Sequence, residues 1–283
     1  MTGPFDSRET RDFAREIKFL VDVAIADDVR HWARTYLGPD PHGTGQFGDE
    51  YGTTSLYFDT PAFDVYHRNR SHARGKFRIR RYGLLDFIFL ERKMRTDRIL
   101  AKRRTTVSLD SLQRVGEPYA DPAWPGYWFH RRILFRGLLP LVQISYDRTA
   151  RLSVVDGDPV RFTMDTNLRV LPMPDRAFLP GVGFPVIAHQ AIVEMKYRRE
   201  PPAVLRQAVE RFRLTPVAIS KYRLGFEALA SVTAAGNDAP GTGSSAADSN
   251  ASISASTGTG SPERYADITC RCVSRNLPIR FWN

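Results

Sequence analysis

The feature that most constrains this chain is an alternation of charged and apolar residues at period two, repeated in one segment after another. In GKFRIRRY (75–82), Lys76, Arg78 and Arg80 fall on one side of an extended chain, and Phe77 and Ile79 on the other. Side chains two apart in a strand point the same way, so such a segment has one polar and one apolar face. In REIKFLV, Glu16 and Lys18 oppose Ile17, Phe19 and Val21; in AIVEMKY, Glu194 and Lys196 oppose Val193, Met195 and Tyr197. In RFTMDTNL, Arg161, Thr163, Asp165 and Asn167 oppose Phe162, Met164 and Leu168. In IFLERK, Glu91 and Lys93 share a face that excludes Leu90. ISYDRTA fits less well, because Ile144 shares a face with Tyr146 and Arg148.

The period predicts strands over Arg15–Val23, Tyr51–Asp59, Gly75–Tyr82, Asp86–Arg95, Ile99–Leu109, Leu141–Leu152, Val160–Val170 and Gln190–Tyr197. Helical spacing intervenes at Ala26–Leu37, around Ala62–Asn69, and at Trp128–Leu138, Ala203–Phe212 and Tyr222–Ala230. Asp27 and Asp28 suit the first turn of the first helix, and Pro201 and Pro202 open another. Trp124, Trp128 and Phe129 are placed to pack a helix onto the sheet. Strands joined by short turns pair antiparallel, so the class is α+β dominated by one sheet.

One such strand is explained by an open sheet wetted on one side. The whole set is harder to explain that way, because like charges side by side repel and the polar faces here are dominated by Lys and Arg. Closing the sheet removes its edges and puts the charge inside, with apolar faces outward under the helices. The expectation is an eight-stranded antiparallel β-barrel, a tunnel with a polar basic lumen. Such a lumen is costly when empty of anions and well matched to a polyanion. The net charge of +10 and pI near 9.8 also call for an anionic partner. Glu16, Glu91, Asp165 and Glu194 share the basic faces. Each either pairs with a neighbouring cation or helps hold Mg²⁺ or Mn²⁺ against phosphate oxygens, and Glu194 is the first choice for metal.

Residues 1–14 read as an N-terminal extension and 15–232 as the folded domain. Residues 233–263, rich in Gly, Ser, Ala and Thr, read as a disordered linker before a tail at 264–283. Cys270 and Cys272 are too close for a mutual disulfide and too few for a zinc site. No apolar run approaches the roughly 18–20 residues needed to cross a bilayer, and no secretory h-region opens the chain. A cytoplasmic protein is expected, with peripheral association to a membrane partner left open. No Walker A, dinucleotide-binding or H-E-x-x-H sequence occurs, and the six histidines have no metal-ligand spacing. The basic faces carry few aromatics for base stacking, so nucleic acid is not the expected partner.

The ordered segments EIKF (16–19), SLYFDTP (55–61), GKFRIRRYG (75–83), FLERK (89–93), AKRR (101–104), SYDRTA (145–150), FTMDTNL (162–168), VEMKY (193–197) and ISKYRLG (219–225) together resemble the VTC domain. That is the polyphosphate polymerase domain of the vacuolar transporter chaperone complex and its bacterial relatives, within the triphosphate tunnel metalloenzyme, or CYTH-like, superfamily. The resemblance implies transfer of the γ-phosphate of a nucleoside triphosphate, ATP in the first instance, onto polyphosphate, with Mn²⁺ or Mg²⁺. It implies that Lys18, Arg78, Arg80, Lys93, Lys102, Arg148 and Lys221 bind triphosphate and product, that Tyr146 and Ser220 add hydrogen bonds, and that Glu194 holds metal. Arg78, Arg80, Lys93 and Lys221 are the expected catalytic set; Lys76, Arg104 and Lys196, on the same faces, complete the substrate-binding set. One departure is that the superfamily's E-x-E-x-K becomes Ala14–Lys18, AREIK, with one acid fewer. Hydrolysis of triphosphate on the same fold and non-catalytic binding of polyphosphate are the alternatives.

Overall fold

Alternation of apolar and charged side chains does produce the strands, and their order builds one antiparallel sheet. The computed structural model describes residues 6–10, 15–95, 100–118, 121–172 and 176–237. In chain order the elements are β1 (Asp6–Thr10), β2 (Arg15–Asp22), α1 (Val23–Tyr36), β3 (Gly38–Pro39), β4 (Glu50–Asp59), α2 (Asp64–His67), β5 (Gly75–Tyr82), β6 (Phe87–Arg95) and β7 (Leu100–Ser108). They continue with α3 (Tyr127–Phe135), β8 (Leu139–Val155), β9 (Asp158–Pro172), β10 (Phe184–Pro185), β11 (Gln190–Tyr197), α4 (Ala203–Arg211) and α5 (Lys221–Asn237). The eight long strands pair in the order β7-β6-β5-β4-β8-β9-β11-β2, with β1 added outside β7. This is the expected α+β fold. β1 comes from the segment read as an extension, and α5 runs into the segment read as a linker. The rest of that linker, the tail, Cys270 and Cys272 lie outside the described residues.

Hydrogen bonding does not join the two ends of the sheet among the described residues. β1 occupies the outer edge of β7. The outer edge of β2 is taken by Pro216 and Val217, through a bridge from Phe19 to Pro216 and a 2.8 Å bond from Val217 N to the Lys18 carbonyl. Covering an edge in this way prevents pairing with other chains. The arms meet instead through side chains: Lys93 Nζ of β6 lies 3.4 Å from Glu16 Oε2 of β2. The basic face is therefore concave.

Apolar faces point outward under helices. Trp32 and Ala33 of α1 and Leu205 and Ala208 of α4 pack with Phe162, Met164, Val193 and Met195. Phe129 and Ile133 of α3 join Phe58, Phe77, Ile79 and Leu90. Trp124 is buried as well, and Trp128 donates from its indole to Thr105 Oγ1. α1 begins a turn earlier than expected, because the Asp22 carboxylate accepts from Ala24 N and caps the helix there.

A second correction concerns β9. Its register against β8 gains one residue between Asp165 and Arg169, where Asn167 adopts a left-handed backbone (φ 53°). Asn167 is exposed and donates to Asp147, and Leu168 turns to the face it was expected to oppose. Beyond this bulge the concave face is apolar: Ile144 pairs with Val170, and both are fully buried. That resolves the poor fit of ISYDRTA. The apolar patch is covered by α5, so this helix enters the concavity while α1, α3 and α4 stay outside. Close approach depends on Gly225, where an added Cβ would lie 2.6 Å from Ile144 Cδ1.

Candidate functional site: a basic channel

Every site residue singled out in the sequence falls on the concave face, arranged in rows across the strands. Lys76, Lys93 and Lys102 are directly opposed on β5, β6 and β7. The next row is Arg78, Glu91 and Arg104, and the next contains Arg80 and Phe89. On the opposite arm, Glu194 pairs with Lys18 and Lys196 with Glu16. Arg148 is opposed to Asp165. α5 contributes Lys221, whose Nζ lies 2.6 Å from Asp165 Oδ2, and Ser220 just before it accepts from Lys76 Nζ at 2.8 Å.

The acids divide into two kinds. Glu91 is buried and accepts from Arg78 Nε at 2.6 Å and Arg104 Nε at 2.7 Å, with Lys102 Nζ 3.4 Å away. Burial raises its carboxyl pKa, but Arg78, Arg80, Arg104 and Lys102 outweigh that and hold it well below the usual range. Asp165 takes both nitrogens of a bidentate Arg148 at 2.6 and 2.8 Å, besides Lys221. Burial pushes it up, and Arg148 and Lys221 bring it down to about 2. These two carboxylates are filled by cations.

Glu16 and Glu194 are different, because they lie diagonally on neighbouring strands and share partners. Lys18 Nζ is 2.9 Å from Glu16 Oε1 and 3.6 Å from Glu194 Oε2. Lys196 Nζ is 2.7 Å from Glu194 Oε1 and 3.6 Å from Glu16 Oε2. Burial and the charge of Glu194 push Glu16 up, yet Lys196, Lys93 and Lys18 keep it low. Burial likewise raises Glu194, and Lys196 and Lys18 hold it well below the usual range. No group of three His, Cys, Asp or Glu side chains is placed to hold a metal among the described residues. Two adjacent carboxylates nevertheless fit Mg²⁺ or Mn²⁺, which commonly use one or two carboxylates together with water and substrate phosphate. The donor set suits Glu194 and Glu16 and disfavours Glu91 and Asp165.

Two of the site's cations have no carboxylate partner among the described residues. Arg80, 4% exposed, donates to Ser55 Oγ at 3.0 Å and Tyr146 Oη at 2.9 Å. Lys76 has Ser220 alone, and burial lowers its pKa to about 8. A buried guanidinium held by neutral hydroxyls is an unmet demand for an anion. Burial would raise the Tyr82 phenol, but Arg80 and Arg104 bring it down to about 7. Tyr57, opposed by its burial and favoured by Arg78 and Arg80, falls to about 8.

Sequence reasoning missed several members of the channel. Ser55 and Tyr57 of β4 support Arg80 and Arg78. Asp59 accepts from Thr60, Val65 and Tyr66 backbone N–H groups and from the Tyr222 hydroxyl, locking α5 to the end of β4. Thr53 Oγ1, Thr163 Oγ1 and Arg161 Nε are buried without a hydrogen-bond partner. Alternation from Tyr57 back to Tyr51 would have found Ser55 and Thr53; neutral residues carried no charge signal.

The VTC domain profile matches residues 13–230. No curated protein matches the sequence significantly. Among solved structures, the bh2851 protein of Bacillus halodurans is similar at 14% identity and TM-score 0.45, over 75% of this chain and 95% of that one. PH1819 from Pyrococcus horikoshii gives 14% and 0.43, over 76% and 99%. HpAC1 from Hippeastrum, described with a dominant triphosphatase activity, gives 14% and 0.42, over 76% and 95%.

Proposed function

The chain belongs to the VTC domain family, and from that premise we propose that it is a polyphosphate polymerase, moving the γ-phosphate of a nucleoside triphosphate, ATP first, onto a polyphosphate chain. The observation that carries this reading is Arg80, a buried cation with only neutral hydrogen-bond partners, on a concave face where Lys and Arg outnumber the acids.

A terminal oxygen of the acceptor phosphate attacks the γ-phosphorus while the bond to the bridging β-oxygen breaks, and nucleoside diphosphate leaves. The acceptor phosphate is already ionised at neutral pH, with its second pKa near about 6, so no general base is required. Positioning and charge neutralisation supply the catalysis. Arg78 and Arg80 grip the transferring phosphoryl oxygens, Arg being suited by its planar fork. Lys93 stands one row beyond Arg78, so it serves the next phosphate of the chain. Lys221, Lys18 and Arg148 hold the acceptor in line, while Lys76, Lys102, Arg104, Lys196, Tyr146 and Ser220 line its path. A divalent ion held by Glu194 and Glu16 would supply neutralisation of the charge that collects on the leaving diphosphate.

The test is incubation with ATP and Mn²⁺ or Mg²⁺ followed by gel separation of the products. Chains that lengthen with time, and their loss in Arg80→Ala, are expected. Orthophosphate released without chains would replace this reading by hydrolysis, and unconsumed ATP with retained polyphosphate binding would replace it by a non-catalytic binder.

A further inference from the structure

The two ends of the channel differ in chemistry. At one end stand Lys76, Lys93 and Lys102. At the other end of the same strands β5 and β6, six residues or roughly 20 Å away at about 3.3 Å per residue, the concave face carries Tyr82, Phe87 and Phe89, with Tyr51 on β4. Their rings touch edge-on: Tyr51 to Tyr82 at 5.3 Å, Tyr82 to Phe89 at 5.3 Å and Phe87 to Phe89 at 5.5 Å between centroids. All four are partly exposed, and the adjoining turn exposes Leu84 (88%) and Leu85 (42%). Cross-strand packing and the Arg104 guanidinium, 4.3 Å from the Phe89 ring centroid, account for part of this cluster; a contiguous, partly exposed aromatic rim at one end of the channel goes beyond them.

A second observation points the same way. Thr53 is opposed to Tyr82 on one side and Tyr146 on the other, is 1% exposed, and its hydroxyl has no hydrogen-bond partner. Arg161, which donates to the Tyr51 hydroxyl at 3.1 Å, has its Nε buried and equally unsatisfied. Unpartnered buried donors and acceptors are rare in folded proteins, and a bound polar group satisfies them. Thr53 sits between two tyrosines and Arg161, ion-paired with Asp40, reaches the Tyr51 hydroxyl, so a ligand that meets both is partly aromatic and partly polar.

We propose that this rim, Tyr51, Tyr82, Phe87 and Phe89 with Thr53 and Arg161, is the nucleoside subsite of the channel. The base stacks on the rim, sugar or base-edge polar atoms satisfy Thr53 and Arg161, and the triphosphate points inward to Arg80 and then Arg78. The channel thereby acquires a direction: nucleotide arrives at the aromatic end, and product chain leaves past the lysine row. The proposal rests on the reading that the channel takes a nucleoside triphosphate.

The test is calorimetric titration of the whole chain with ATP and, separately, with inorganic tripolyphosphate, for wild type, Phe87→Ala and Thr53→Val. Base stacking on one aromatic side chain is worth about tenfold in affinity. The ATP-to-tripolyphosphate affinity ratio is therefore expected to fall about tenfold in Phe87→Ala and to fall measurably in Thr53→Val. Tripolyphosphate binding reports in the same experiment that each variant has folded. A ratio unchanged in both variants overturns the nucleoside subsite and leaves the phosphate channel standing. A wild-type chain that binds neither compound overturns the phosphate channel as well.

Discussion

Consider Glu91→Gln. Glu91 is the hub of a buried charge cluster, lying beneath Arg78 and Arg104 with Lys102 beside them. The substitution keeps the shape and one acceptor oxygen but removes the only carboxylate, among the described residues, within ion-pair distance of Arg78. Stripping one partner from a buried ion pair costs about 3–5 kcal/mol, and the retained hydrogen bond recovers about 1 kcal/mol. A loss of about 2–4 kcal/mol corresponds to a melting point lower by about 10 °C for a domain of this size. An anion in the channel reverses the penalty, because the phosphate oxygens take the place of the missing carboxylate. Tripolyphosphate at a hundredfold excess over its Kd stabilises the wild type by about 2.7 kcal/mol, and it stabilises the variant by more. Melting curves in low-salt, phosphate-free buffer, with and without tripolyphosphate, read both effects. Two results refute the reasoning: a variant that melts with the wild type in the absence of ligand, or a gap that ligand does not narrow.

Three further outcomes follow from the same geometry. Because Asp165 is held at about 2 and Glu91 and Glu194 well below their ordinary values, their pairing stabilises the fold fully above the unfolded-state carboxylate pKa, and that contribution is lost as pH falls through the folded values; chemical denaturation between pH 5 and 2, taken as an order-of-magnitude window around about 4, should show steep weakening that Asp165→Asn makes shallower. Lys76 loses its proton near about 8, so tripolyphosphate affinity should decline as pH rises through that value, and Lys76→Arg, always charged, should flatten the profile in titration calorimetry. Gly225→Val forces side-chain atoms into Ile144 beneath α5; overpacking of about 1–3 kcal/mol, measured by denaturation, should accompany weaker anion binding as Lys221 is pushed off Asp165.

Period two made most of the fold legible. GKFRIRRY alternates from Lys76 to Arg80 and QAIVEMKY from Val193 to Tyr197, and β5 and β11 keep the expected boundaries. The basic residues were equally visible, since a face of Lys and Arg cannot lie against an apolar core. Alternation fails where the backbone inserts a residue. Asn167 adds one to β9 through a left-handed conformation, and no pattern of polarity distinguishes that from a regular strand. The position of α5 was hidden for another reason: Tyr222, Phe226 and Leu229 mark an apolar stripe, but a stripe does not say whether it faces the outside of a sheet or its inside. Charge also drew attention away from Thr53, Ser55 and the aromatic rim, which contribute no net charge and so left no mark on the electrostatic pattern.

The way the sheet's two arms are fastened has a mechanical consequence. Backbone ladders run unbroken from β7 round to β2, but the gap between the arms is spanned by Glu16 reaching to Lys93. A ladder has one length; a charged buckle does not. Side-chain charge thus closes the gap, and under the proposed function each passing phosphate would compete with Glu16 for Lys93. A polymer threaded through such a belt would then loosen the fastening as it moves, and the fastening would draw tight again behind its last charge.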